Sequence, residues 1–461
     1  MIDSFPEDFR WGAATASYQI EGAATEDGRG ASIWDTFSHT PGTTLAGDTG
    51  DVACDHYHRY REDVALMARL GLQDYRFSIA WPRVIPSGSG AVNEAGLDFY
   101  SRLVDELLAN GIRPVATLYH WDLPQPLQDA GGWPARDTAE RFAEYAAVVA
   151  RRLGDRVAVF TTLNEPWCSA YLGYAAGEHA PGARDNAAAL TAAYHLLLAH
   201  GRGLQALRSE LTGEHTLSIT LNPANIRPAS DSDADRDAAY TADLYANRIF
   251  LDPLLRGSLP AALLERTERV TDWSFVRDGD LEVISAPIDV LGVNYYNPHR
   301  VGATPPPDGS RALFAGTDDV FHYPQDGPKT GMDWPVEPAS MTELLVAMHR
   351  DYPGTAFVVT ENGAAYPDTV AEDGAVHDPE RVAYLAAHIG AVRDAIEAGV
   401  DVRGYYAWSL LDNFEWAWGY SQRFGIVHVD FDGDLRRRPK DSFEFYRRVI
   451  AANGVPDDVV H

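Results

Sequence analysis

The feature that most constrains this chain is an alternation of short apolar runs with longer amphipathic stretches. Several of the short runs are apolar at nearly every position, which is typical of parallel strands that are covered on both faces. The predicted strands lie near 9–16 and at 74–79, 114–119, 157–163, 216–221, 288–294, 356–360 and 403–408. Eight strands that alternate with helices predict one (β/α)8 TIM barrel over residues 1–461, with elaborated βα loops.

The alternative fold is a doubly wound open sheet. It is disfavoured because no glycine-rich phosphate loop follows any of the predicted strands. The strands are spaced irregularly, and residues 301–338, rich in Pro, Gly and Asp, predict an elaborate loop of the kind that forms active sites in barrels.

Three helices are predicted from apolar spacing, at about 97–109, 138–153 and 379–398. Ser340 and Glu343 have the spacing of a capping box ahead of a further helix.

The charge balance restricts the class of partner. The formal net charge is −29, and a surface this acidic repels nucleic acid and anionic membranes but not a neutral small molecule. No apolar stretch is long enough to span a bilayer, and the N-terminus MIDSFPEDFRWG does not look like a signal peptide, so we expect a cytoplasmic protein. The two cysteines, Cys54 and Cys168, allow one disulfide but no disulfide framework.

Two glutamates occupy the ends of two predicted strands. The run VAVFTTL leads into Asn164-Glu165-Pro166, and AFVVT leads into Glu361-Asn362-Gly363. Either glutamate alone would be read first as half of a salt bridge at the barrel end. Two of them, each beside an asparagine, favour a catalytic site. Paired carboxyl groups suit glycoside hydrolysis, in which one donates a proton and the other attacks the anomeric carbon.

Aromatic and amide side chains follow the other predicted strands. Such residues suit a sugar, which presents hydroxyl groups around an apolar C–H face. They include Gln19, the run Tyr119-His120-Trp121, the run Asn294-Tyr295-Tyr296, Trp408 and the pair Glu415-Trp416. Any one of these tryptophans alone would be read as core packing.

The motifs together resemble those of glycoside hydrolase family 1, the β-glucosidase family. The resemblance covers essentially the whole chain, and the motifs occur in the order of the family. They are FRWGAATASYQIEG (9–22), YRFSIAWPRVIP (75–86), LYHWDLPQ (118–125), TLNEPW (162–167), GVNYY (292–296), VTENG (359–363), LLDNFEWAWGYSQRFGIVHVD (410–430) and RRPKDSF (437–443).

The resemblance implies a double displacement with retention of configuration. Glu165 would be the acid/base, and Glu361 the nucleophile that forms a glycosyl-enzyme. Asn164 would bind the substrate 2-hydroxyl, while Arg76 and Tyr296 would contact Glu361 and keep it ionised. An optimum at neutral or mildly acidic pH is expected, since one carboxyl must be protonated while the other is ionised.

The same resemblance assigns the binding residues. Asn294 would support the site without reacting. The residues that would bind the sugar in the −1 subsite are Gln19, His120, Trp121, Glu415 and Trp416, with Trp408 as the stacking platform. The residues that would contact the leaving group are Trp167, His179 and Trp334.

The residues also narrow the substrate. Relatives that act on 6-phosphorylated sugars have Ser where this chain has Glu415, which favours free hydroxyl groups instead. The expected substrates are non-phosphorylated β-D-glucosides such as cellobiose and aryl glucosides, cleaved from the non-reducing end, and then β-galactosides or β-fucosides. No cofactor or metal is expected, because His56 and His58 lack a convincing ligand set.

Three other functions compete with hydrolysis, and the oligomeric state is left open. A dedicated transglycosylase would share every catalytic residue. A sugar-binding protein without turnover is disfavoured by the intact Glu165 and Glu361. A structural protein would not cluster polar and aromatic residues at strand ends.

Overall fold

Eight parallel strands form a closed barrel in the computed structural model, which describes residues 4–306, 317 and 319–456. They are β1 Arg10–Ala14, β2 Asp74–Ser78, β3 Arg113–Tyr119, β4 Val159–Asn164, β5 Thr216–Leu221, β6 Val290–Asn294, β7 Phe357–Asn362 and β8 Val402–Trp408. Each strand pairs with its neighbours in chain order, and β1 closes the ring against β8, with Ala14 opposite Trp408. The predicted (β/α)8 barrel is confirmed, and the open sheet is excluded.

The predicted strand ends all lie within two residues of the observed ones. The small differences matter at the two glutamates. Asn164 is the last residue of β4, so Glu165 lies just outside it, whereas Glu361 and Asn362 are the last two residues of β7.

Helices cover the outside of the barrel and occupy its loops. The α-helices are Ser17–Ile20, Ile33–Ser38, His56–Leu70, Trp81–Val84, Glu94–Ala109, Gln125–Asp129, Asp137–Leu153, Asn186–Glu210, Asp233–Asp243, Ile249–Arg256, Ala261–Thr267, Asp280–Ile284, Pro338–Asp351, Pro379–Glu397 and Asp441–Ala452. Segments Cys168–Ala176 and Leu244–Arg248 are π-helical, and Leu45–Gly47 and Trp416–Trp418 are 3₁₀ turns.

The helix at 97–109 begins three residues earlier than predicted, at Glu94, because its first turn is polar and lies outside the apolar spacing. The capping box at Ser340 is wrong. That helix begins at Pro338, whose fixed φ suits the first helical position, so Ser340 lies inside it. Its hydroxyl accepts from Asn225 Nδ2 at 2.8 Å instead, and Glu343 accepts from Arg227 at 2.7 Å.

The loops of the barrel also form two small sheets. One joins Ile226–Pro228, His299–Gly302 and Phe321–His322, and the other pairs Val427–Val429 with Arg437–Pro439. The predicted loop at 301–338 thus contains the end of the strand His299–Gly302 and the whole of the strand Phe321–His322. Its residues 307–316 and 318 lie outside the described residues.

A buried ionic cluster occupies the N-terminal end of the strands. Asp74 is fully buried and accepts from Arg10 at 2.6 Å, Arg113 at 2.5 Å and the Tyr406 hydroxyl at 2.7 Å. Its charge is matched by two guanidinium groups, so the buried carboxylate is not left without a partner. In TIM barrels the chemistry occurs at the opposite, C-terminal end.

Cys54 and Cys168 are both buried and free, so they form no disulfide with each other. Within the described residues, no helix is long and apolar enough to cross a membrane.

Candidate active site

Glu165 and Glu361 lie at the C-terminal end of the barrel, and only 5% and 3% of their surfaces are exposed. Glu165 follows β4 and Glu361 is in β7, while β5 and β6 lie between those strands. Asn294 at the end of β6 is paired in register with Glu361 and also contacts Glu165. The structure therefore brings the two predicted carboxyl groups to the same site.

Each oxygen of Glu361 accepts a strong hydrogen bond. Arg76 Nη1 donates to Oε1 at 2.5 Å, and the Tyr296 hydroxyl donates to Oε2 at 2.7 Å. Burial raises the pKa of Glu361 above its ordinary value, but the Arg76 charge and both hydrogen bonds oppose that rise. Glu361 is thus the carboxyl group whose ionised form is held by a cation.

Glu165 has different partners. Asn294 Nδ2 donates to Oε1 at 2.6 Å, and Cys168 Sγ donates to Oε2 at 3.1 Å. Burial, followed by the negative charge of Glu361, raises the pKa of Glu165 to about 7. The Arg76 cation therefore favours the ionised form of Glu361, whereas burial and the Glu361 charge favour the protonated form of Glu165, a difference that suits a nucleophile and an acid.

A hydrogen-bond network of polar side chains lies next to the two carboxyl groups. Arg76 Nη2 donates to Asn164 Oδ1 at 2.6 Å, and Asn294 Nδ2 donates to the same oxygen at 3.0 Å. The Asn164 amide nitrogen therefore faces His120 Nε2, 3.0 Å away, which must accept. Burial and the Arg76 charge lower the pKa of His120 well below its ordinary value, so this ring is neutral.

Gln19 and Glu415 form a second polar group on the β1 and β8 side of the barrel. Gln19 Nε2 donates to Asn413 Oδ1 at 2.9 Å and to the Phe414 carbonyl at 2.8 Å. Its Oε1 accepts no hydrogen bond from any residue that the structure describes. Burial raises the pKa of Glu415 to about 8. This group offers an acceptor and a carboxyl to a bound hydroxyl.

Aromatic rings surround these polar groups. The Trp121 and Trp416 rings lie 4.6 Å apart, and His120 stacks on Trp408 at 5.9 Å. Trp121 Nε1 donates to the Asn164 carbonyl at 2.9 Å, which ties the ring to the end of β4.

The backbone is strained at three of the predicted site residues. Trp121, Glu165 and Trp416 have φ angles of 77°, 44° and 49°, in the left-handed region that non-glycine residues seldom adopt. Such conformations concentrate at functional sites. Gly363, in the sequence ENG, allows a close approach, because a Cβ there would lie 1.7 Å from the Trp408 carbonyl oxygen.

Most of the predicted residues line one cavity of about 400 Å³. Those in the lining are His120, Trp121, Glu165, Trp167, His179, Asn294, Tyr296, Trp334, Glu361, Trp408, Glu415 and Trp416. Gln19, Arg76 and Asn164 are fully buried and contact the lining from behind it.

The sequence did not single out several other residues of the cavity wall. One of them is Asn222, although it directly follows the strand at 216–221, and another is Cys168. The other missed residues come mainly from loops, where no strand end marks them. They are Leu172, Glu178, Pro223, Ala224, Asn297, His299, Met332, Trp418 and Phe424.

Within the described residues, no group of three or more His, Cys, Asp or Glu side chains could hold a metal ion.

The sequence profile of Glycosyl hydrolase family 1 matches residues 1–455. The chain is 53% identical to a bifunctional β-D-glucosidase/β-D-fucosidase of Bifidobacterium breve, over 97% of this chain and 98% of that protein. It is 52% identical to thermostable β-glucosidase B of Thermobispora bispora, over 98% and 92%. Its structure is similar to that of a psychrophilic β-glucosidase of Micrococcus antarcticus, with a TM-score of 0.95, 49% identity and 98% of each chain covered. It is also similar to a β-glucosidase of Thermotoga maritima in complex with glucoimidazole, with a TM-score of 0.93 and 46% identity, over 98% of this chain and 100% of that one.

Proposed function

The chain belongs to glycosyl hydrolase family 1, and on that premise we propose that Glu361 and Glu165 hydrolyse β-D-glucosides by double displacement. The observation that carries the proposal is the unequal environment of the two carboxyl groups. Glu361 is paired with Arg76, whereas Glu165 accepts from Asn294 and Cys168 and has a pKa of about 7. A retaining glycosidase needs this difference at the start of its cycle.

In the first step, a Glu361 oxygen attacks the anomeric carbon and the bond to the leaving oxygen breaks. Glu165 gives its proton to that oxygen, so the aglycone leaves as a neutral alcohol. Glu165 is now ionised, and it takes a proton from a water molecule that attacks the same carbon and releases Glu361. Two inversions give net retention, and both carboxyl groups return to their initial states.

The polar groups around the carboxyls fit the glycone. Asn164 shares the Arg76 guanidinium with Glu361 and would bind the 2-hydroxyl, a contact that strengthens in the transition state. His120, Trp121, Gln19, Glu415 and Trp416 would bind the remaining hydroxyl groups, with Trp408 beneath the ring. Arg76, Tyr296 and Asn294 would hold the carboxyl groups in place.

The Gln19 and Glu415 pair supports a non-phosphorylated sugar. Gln19 is fully buried, and Glu415 would place a carboxyl where a phosphate would otherwise bind. Glucosides are the first substrate, cellobiose and aryl glucosides among them. Fucosides and galactosides come next, and the name of the B. breve relative includes fucosidase activity.

Trp167, His179 and Trp334 lie on the part of the wall that would receive the leaving group. The His179 ring packs 5.4 Å from Trp121 and 5.3 Å from Trp34, and burial lowers its pKa to about 3, so it is neutral. A neutral, largely aromatic wall suits a sugar or aryl aglycone. Residues 1–461 would act as one catalytic domain.

The experiment is hydrolysis of p-nitrophenyl β-D-glucoside, with the first-formed glucose followed by NMR. Release of the β-anomer supports double displacement through Glu361. Release of the α-anomer means inversion and overturns the nucleophile assignment. Added alcohol or sugar acceptors, with product analysis, distinguish a hydrolase from a dedicated transglycosylase, in which transfer products would dominate.

A further inference from the structure

The contact between Glu165 and Cys168 is fixed by the backbone that joins them. Cys168 lies three residues after Glu165 at the start of the π-helix Cys168–Ala176, and its backbone N–H donates to the Glu165 carbonyl at 3.0 Å. The thiol is 3.1 Å from Glu165 Oε2 and is 6% exposed. Sulfur and carboxyl are thus held together on one short turn.

Asn294 holds one of the two oxygens of Glu165 in a fixed direction. Thr360 Oγ1 donates to Asn294 Oδ1 at 2.7 Å, so the Asn294 nitrogen must be the atom that faces Glu165 Oε1 at 2.6 Å. Oε1 is therefore held as an acceptor by Asn294, and Oε2 is the oxygen beside Cys168.

The thiol is oriented and neutral. Asn222 Nδ2 lies 3.7 Å from the sulfur and donates to it, which leaves the S–H free to point at Oε2. Burial, followed by the charge of Glu165, raises the pKa of Cys168 well above its ordinary value, so the thiol keeps its hydrogen. The group beside Oε2 is a hydrogen-bond donor and not a thiolate.

We propose that Cys168 is a positioning residue for the acid/base, which holds Oε2 and stabilises the ionised form of Glu165 between the two displacements. The inference rests on the proposed function. In the glycosyl-enzyme Glu165 has lost its proton, and Oε2 must face the incoming water. The S–H donates to the ionised Oε2, and Asn294 holds the other oxygen, so the carboxylate keeps its orientation.

Other charged groups act on Glu165 from neighbouring strands. Glu361 on β7 and Glu415 after β8 are acidic and favour its protonated form, while Arg76 on β2 favours its ionised form. None of them is changed by a substitution at Cys168. Removal of the thiol takes away a donor to the ionised form alone, so the pKa of Glu165 rises.

The test compares pH profiles of kcat/KM for the wild type, Cys168→Ala and Cys168→Ser. In the alanine variant, the basic limb is expected to move up by roughly 0.5 pH unit, the value of one weak hydrogen bond. The serine variant restores a donor, and because an O–H donates more strongly than an S–H its limb is expected below that of the wild type. Cys54→Ala is the matched control, because Cys54 is the other buried free cysteine and its thiol donates to the Asp412 carbonyl.

An unmoved basic limb in Cys168→Ala overturns the inference, and so does an equal shift in Cys54→Ala. If Cys168→Ala does not fold, the comparison of Cys168→Ser with the wild type decides, since an unchanged or raised limb there contradicts the role of a donor. The proposed function is tested separately by Glu165→Gln. If that variant keeps the basic limb, the acid/base assignment fails. If it loses the limb while Cys168→Ala leaves it in place, only the role of Cys168 fails.

Discussion

Arg76 donates from Nη1 to Glu361 Oε1 at 2.5 Å, and 0% and 4% of the two side chains are exposed. The same guanidinium donates from Nη2 to Asn164 at 2.6 Å. One planar group therefore fixes both the carboxyl that would attack the sugar and the amide that would bind the neighbouring hydroxyl. Lysine has no fork of this kind, so it cannot reproduce both bonds in their present directions.

Substitution Arg76→Met is expected to move the acidic limb of the kcat/KM profile to higher pH, because the pKa of Glu361 rises when its cation is removed. It is also expected to lower kcat/KM by about 100-fold or more and to destabilise the fold by about 3 kcal/mol, since a buried charge loses its partner. Arg76→Lys is the control, which keeps the charge and should shift the limb less. Profiles with the same acidic limb in all three proteins would contradict this role of Arg76.

Substitution Glu361→Ala is expected to reduce the hydrolysis of natural β-glucosides by at least about 10⁴-fold, because it removes the group that would form the glycosyl-enzyme. Circular dichroism and thermal unfolding should show that the fold is retained. Added azide can enter the vacated space and attack the anomeric carbon of an activated substrate, which gives the α-glycosyl azide. Undiminished hydrolysis of cellobiose by this variant would mean that another residue is the nucleophile.

Substitution Glu165→Ala is expected to separate substrates by their leaving groups. The dinitrophenolate group leaves without a proton, whereas the leaving group of an alkyl glucoside or of cellobiose needs one. The rate of glycosylation should therefore fall far more for alkyl glucosides and cellobiose than for the dinitrophenyl glucoside. In the wild type the basic limb of kcat/KM should lie near pH 7, where the Glu165 proton is lost. Equal losses for both classes of leaving group, measured by pre-steady-state kinetics, would count against the acid role.

The sequence predicted the barrel and its catalytic end because both depend on local patterns. Near-continuous apolar runs mark parallel strands, and polar residues directly after them, such as Glu165, must lie at one end of a closed sheet. The same rule, applied to the strand at 216–221, would also have found Asn222.

The features of the fold and of the site that the sequence does not predict depend on contacts between distant segments. Ser340 has the spacing of a helix cap, but its hydroxyl binds Asn225, which is 115 residues away. Glu178, His299 and Trp418 reach the cavity from the connections that follow barrel strands, whose course no periodicity describes. The thiol of Cys168 is close to Glu165 in the sequence, yet its role depends on Asn294 and Asn222, which only the folded chain brings beside it.

Glu415 links the binding site to the pH dependence of stability. Its side chain is mostly buried, and its pKa rises from 4.5 to about 8 on folding, mainly because burial penalises the charge. The folded protein therefore holds a proton that the unfolded chain releases above pH 4.5. The stabilisation is fully present below that pH and is lost as pH rises through 8, with a total of a few kcal/mol.

Substitution Glu415→Gln removes this titration and keeps the size of the side chain. We expect the Tm of this variant minus the Tm of the wild type to increase from pH 5 to pH 8. We also expect the affinity for glucosides to fall. The matched control is Glu372→Gln, at an exposed loop position, whose Tm difference should be the same at both pH values. Thermal unfolding followed by calorimetry at each pH measures both differences. If the Tm difference between Glu415→Gln and the wild type is independent of pH, the Glu415 carboxyl does not retain its proton in the folded protein. A cation or water beside Gln19 must then stabilise the charge of that carboxylate.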